Sequence, residues 1–84
     1  MTVRLTLEGG SAELTRVDGE RFTILATLSA APGTPLRAVI EGTSEALELK
    51  VARCIRRSDA AFEVEGRLVN LTRVQRSILA QRLP

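Results

Sequence analysis

Residues 47–69, LELKVARCIRRSDAAFEVEGRLV, decide the fold. Leu47, Leu49, Val51 and Ile55 alternate with Glu48, Lys50 and Arg56, which is the period-two signature of a strand with one face buried. After a polar turn at Arg56-Arg57-Ser58-Asp59, the alternation resumes in AFEVEGRLV, with Phe62, Val64 and Leu68 inward and Glu63 and Glu65 outward. Two features break this pattern. Arg53 falls on the apolar face, where an unpaired guanidinium is costly, so the strand either bulges there or leaves the core; the reading favours an exit. Gly66 occupies an inward position, which marks a bend or a close backbone approach. So long an alternating strand implies strong curvature, as in a barrel.

Working outward, the same period appears in TVRLTLE at residues 2–8, with Val3, Leu5 and Leu7 on one face, until Gly9-Gly10 interrupts it. A second strand over 11–17 directs Ala12 and Leu14 inward. Asp18-Gly19 is a hairpin signal, and RFTILATL at 21–28 returns with Phe22, Ile24, Ala26 and Leu28 in register. The proline and glycine in SAAPGTP place a surface loop before a fourth strand over 35–41, and Gly42-Thr43-Ser44 turns the chain into the long strand. From Thr72 the period becomes helical: Val74, Ile78, Leu79 and Leu83 share a spacing, and Thr72 with Gln75 fits a capping box. The exposed face of that helix carries Arg73, Arg76 and Arg82, and the last of these also suits the helix dipole. The expected fold class is therefore mainly β: a six-stranded antiparallel barrel with a C-terminal helix against one opening. A flat sheet crossed by the helix is the alternative arrangement.

Composition narrows the function. With 84 residues there is room for one domain, 1–84, and a hydrophobic fraction of 44% beside 26% charged residues is that of an ordinary globular chain. There is no histidine, so Ser-His-Asp and Cys-His arrangements are excluded and zinc chemistry is not expected. No phosphate-binding GxxxxGK[ST] or GxGxxG occurs, and the carboxylates lie on strand faces or around turns, where solvation is their ordinary state. The reading is a non-enzyme without cofactor or metal. The single cysteine, Cys54, reads as a small buried apolar residue. No apolar run is long enough to span a bilayer, and the N-terminus lacks the pattern of a signal peptide, so a cytoplasmic protein without membrane contact is expected.

Net charge is +2, but the 50 N-terminal residues carry five basic and seven acidic side chains and the remainder seven and three. Eleven of the twelve basic residues are arginine, whose planar donor fork suits phosphate and carboxylate. Arg53, Arg56 and Arg57 form the densest basic cluster, able to clamp a phosphate or an acidic loop of a partner; solvated surface charge is the plainer explanation. Nucleic acid is not expected, because both aromatic residues, Phe22 and Phe62, fall on core faces and leave no stacking platform.

Three segments, GTPLRAVIEG, LELKVARCIRR and AFEVEGRLVNLTRVQRSILAQRL, lie in an order that resembles the PilZ domain. Pro32-Gly33 leads into a strand, a long strand ends in arginines, and the last strand passes through Asn70-Leu71 into an arginine-bearing helix. The resemblance implies a six-stranded barrel with a C-terminal helix. It also implies a bacterial signalling or regulatory setting. Many members bind cyclic di-GMP through RxxxR and DxSxxG. Here the second motif falls on LTRVDG, where Gly19 matches but Leu14 stands for the aspartate and Arg16 for the serine, and Arg4 alone cannot form the first. The resemblance therefore implies a degenerate domain that binds a protein partner and does not bind cyclic di-GMP by the usual motif. The competing reading is a phosphate-ligand or cyclic dinucleotide receptor using Arg16, Gly19, Arg21, Arg53, Arg56 and Arg57. A homodimer, covering an open strand edge, is a further expectation.

Overall fold

The computed structural model describes residues 2–83. Six strands, β1 (Val3–Leu7), β2 (Gly10–Asp18), β3 (Arg21–Ala26), β4 (Pro35–Ile40), β5 (Ala46–Ser58) and β6 (Ala61–Val69), precede one helix, α1 (Arg73–Arg82). All strand pairs are antiparallel, and the order β1-β2-β3-β6-β5-β4 closes on itself through β1 and β4. The expected barrel with a C-terminal helix is the observed one. No helix among the described residues is long and apolar enough to cross a membrane.

Alternation produces the core. Val3, Leu5, Leu14, Ile24, Ala38, Ile40, Leu47, Leu49, Val64 and Leu68 point inward and are buried, while their sequence neighbours face out. Closure requires the strands to be staggered. Passing round the barrel from Leu5 through Ala12, Ala26 and Phe62 leads to Arg56 on β5. Passing the other way, through Ile40, leads to Glu45, the residue immediately before β5. That stagger is why β5 has 13 residues when β1 has five. Beyond Val51, which bonds to Gly33 and Thr34, β5 has a partner only on its β6 side. Ala52–Ser58 is thus the longest stretch paired on one side only; the ends of β2 (Thr15–Asp18) and β4 (Pro35–Arg37) are shorter ones.

The irregularities depart from the sequence reading in four places. At Arg53 the strand does not leave the sheet: a register shift between Val51 and Arg53 inserts Ala52 as a bulge and turns Arg53 outward. Cys54, half-buried against the core, thereby takes the inward position, and Ile55 pairs opposite the outward Glu63. Second, Arg56, Arg57 and Ser58 belong to β5, and the turn is Asp59-Ala60. Third, the β2–β3 turn is Gly19-Glu20, with Asp18 paired to Arg21; of these residues only Gly19 has a positive φ, 62°, as a turn with glycine at its first central position requires. Fourth, Val74 is exposed, and the docked face of α1 is formed by Gln75 and Leu79, with Ile78 and Leu83 packed at its margin.

The expected capping box holds: the Gln75 amide N–H donates to Thr72 Oγ1, and the Thr72 N–H donates to Gln75 Oε1, each at 3.1 Å. Gln75 also fastens the helix to the barrel, its Nε2 donating to the Ala46 carbonyl at 2.9 Å. At the other end of the helix, Arg82 donates to the Glu41 carbonyl. The helix therefore covers the opening bordered by the β2–β3 and β4–β5 turns, while Leu28 and Ala30 from the β3–β4 loop pack into the core.

Candidate functional site

Pairing register assembles the site. On β2, β3, β6 and β5, cross-strand partners on the outer face form two rows. One row is Arg16, Thr23, Glu65 and Arg53; the other is Asp18, Arg21, Arg67 and Lys50. Between them lies an open groove of about 530 Å³ with Ala52, Thr23 and the Gly66 main chain as its floor. One packing detail keeps that floor low, and a second, on the inward side, draws its strands together. The bulge presents a residue with a single methyl group, and Gly66 allows β5 to approach β6 so closely that a β-carbon there would collide with the Lys50 carbonyl and touch the Phe22 ring.

Four guanidinium groups, Arg16, Arg21, Arg53 and Arg67, face two carboxylates, Asp18 and Glu65, around this groove. Arg53 Nη1 lies 3.6 Å from Glu65 Oε1. Among the described residues Arg16, Arg21 and Arg67 have no side-chain ion pair or hydrogen bond. Arg21 and Arg67 are direct cross-strand partners, an arrangement that like-charge repulsion disfavours; Asp18, opposite Arg21, and Glu20 are the nearby carboxylates, and neither forms an ion pair with them. The face can accept an anion: forked N–H donors converge from neighbouring strands on a surface open to solvent.

Of the six residues singled out in the sequence, three come together here, namely Arg16, Arg21 and Arg53. Gly19 sits in the adjoining turn, facing α1 beside Val17, Leu79 and Leu83. Arg56 and Arg57 do not join Arg53. Alternation and the hairpin tip carry them away, where Arg56 pairs with Asp59 and Arg57 with Glu63, the latter at 3.1 Å. Arg67 was missed, although its signal was available: it follows Glu63 and Glu65 at a spacing of two on the outward face of β6. Among the described residues no group of three potential metal ligands is present. Comparison with protein-family models, with curated proteins and with solved structures gives no match to this chain.

Proposed function

We propose that the chain is a non-catalytic, PilZ-like interaction module that binds a protein partner through the outer face of β2, β3, β6 and β5. The observation that carries this reading is the set of unpaired guanidinium groups, Arg16, Arg21 and Arg67, around one open groove. Carboxylates presented by a partner would relieve the repulsion between Arg21 and Arg67, and charge-assisted bonds of this kind contribute about 1.5–3 kcal/mol each where water is excluded. The shallow, charged form of the groove suits a surface-to-surface contact better than enclosure of a small apolar substrate. The absence of histidine supports a binding role over general acid–base catalysis.

The test is photo-crosslinking from position 23, at the centre of the face, under native conditions. A discrete protein adduct that disappears when Arg21 and Arg67 are both replaced by glutamate is expected. No adduct, or one indifferent to that replacement, refutes the reading. A second reading, a phosphate-ligand or cyclic dinucleotide receptor, draws on the same Arg21–Arg67 opposition, with Arg16 standing where the family motif has serine. Calorimetry with cyclic di-GMP and with inorganic phosphate tests it, and absence of heat at high micromolar ligand ends it.

A further inference from the structure

The free edge of β5 offers a second, more specific mode of recognition. Ala52–Ser58 runs for about 20 Å with β6 on one side and no strand on the other, and the last main-chain bonds on the open side are those of Val51 with Thr34 and Gly33. Other strand ends are paired on one side only, such as Thr15–Asp18 of β2 and Pro35–Arg37 of β4, but they are shorter. An unpaired edge is a template for an added strand. Within Ala52–Ser58 there are three arginines, Arg53, Arg56 and Arg57, and no carboxylate; the acids that pair with them, Glu65, Asp59 and Glu63, come from β6 and the turn.

We propose that a protein partner docks by adding an extended, acidic segment as a strand alongside Ala52–Ser58. The added strand would satisfy the free backbone groups and present carboxylates to Arg53, Arg56 and Arg57 from the side that lacks them. It would continue the sheet that carries the groove, because Ala52 and Arg53 border both. A second copy of this chain is the wrong occupant: full antiparallel overlap of two such edges sets Arg53 opposite Arg57 twice, and like charges in direct cross-strand positions repel. The same arginines thus guard the edge against self-pairing while favouring an acidic strand. The proposal rests on the reading of the chain as a protein-interaction module and names the structure its partner would adopt.

The experiment is amide-resolved NMR on the full chain titrated with a synthetic peptide alternating valine and glutamate, beside a valine–lysine counterpart. Expected are shifts centred on residues 52–58, slowed hydrogen exchange of their amides with the glutamate peptide, and no response to the lysine peptide. Replacing Arg53 and Arg57 by glutamate, with retention of the fold checked by circular dichroism, should weaken the glutamate peptide about tenfold. Unmoved 52–58 amides at millimolar peptide would overturn the proposal. Shifts confined to Arg16, Arg21 and Arg67 would overturn it while leaving the groove reading in place. Protection of 52–58 through dimerisation without peptide would overturn it in favour of a second copy. Failure of the interaction reading itself shows separately, as the absence of any protein adduct from position 23 in the unsubstituted chain.

Discussion

Replacing Gly66 with alanine probes the closest backbone approach in the barrel. In a strand interior with space for a methyl group this change stabilises, because glycine loses more freedom on folding by roughly 0.5–1 kcal/mol and a buried methyl adds about 0.8 kcal/mol. At Gly66 the new carbon meets the Lys50 carbonyl, which is main chain of the neighbouring strand, and the ring of the buried Phe22. Neither can swing aside as the end of a surface side chain does. Relief requires β5 and β6 to separate beside the bulge, adding an overpacking cost of about 1–3 kcal/mol to a weakened ladder bond of about 1 kcal/mol. The favourable terms offset part of this, and we expect a net loss of about 1–2 kcal/mol, equivalent to roughly 4–16 °C in Tm for a domain of this size. Urea and thermal unfolding followed by circular dichroism measure it. Gly10→Ala is the control, since its neighbours are the side chains of Leu28 and Thr27, which can give way, and its loss should be smaller. A Gly66→Ala protein as stable as the parent would refute the packing argument.

Gln75→Ala leaves the Ala46 carbonyl and the Thr72 N–H without their partners and should cost about 1–3 kcal/mol, read by the same unfolding curves, with the helix losing amide protection first. Val74→Glu, at a position that helical spacing assigns to the buried face but that is 57% exposed, should change stability by less than about 0.5 kcal/mol. Arg67→Glu converts the Arg21–Arg67 opposition into an opposite-charge pair and should stabilise the domain by a few tenths of a kcal/mol at low salt, while abolishing capture of an acidic partner; parallel unfolding and crosslinking would expose the opposed signs.

Strand positions were legible because burial on one face forces a period of two, and that period survives in nearly every segment from Val3 to Leu68. The helix start was legible for a local reason, as Thr72 and Gln75 satisfy each other's backbone within a single turn. Its docked face was not, because helical spacing alone assigns Val74 and Leu79 to one apolar set, and the choice is made by where the Gln75 amide finds the Ala46 carbonyl. The site was half legible for a similar reason. Arg16, Arg21 and Arg53 are visible as basic residues on strands, but only the pairing of β3 with β6 shows that Arg67 stands opposite Arg21. No strand edge could be placed from the sequence: closure of β1 on β4 removes the ordinary edges, and stagger, which only the pairing register shows, leaves strand ends paired on one side, the longest at the far end of β5.

The bulge at Ala52 shows how magnitudes choose between two readings of one segment. Unbroken alternation from Val51 would direct Arg53 and Ile55 inward and Cys54 outward. It would gain burial of isoleucine, worth at most about 1.5–3 kcal/mol, and would place an unpaired guanidinium in the core at a cost well beyond that. One extra residue reverses the sequence of faces at the loss of a ladder bond, about 1 kcal/mol, and brings Cys54 against the core in exchange for Ile55. Expelling the charge is the larger effect, so the strand bulges and continues, and exit from the sheet becomes unnecessary. The consequence for recognition is direct: the same inserted residue turns Arg53 to the outer face beside Glu65, where it completes the basic groove and heads the unpaired edge.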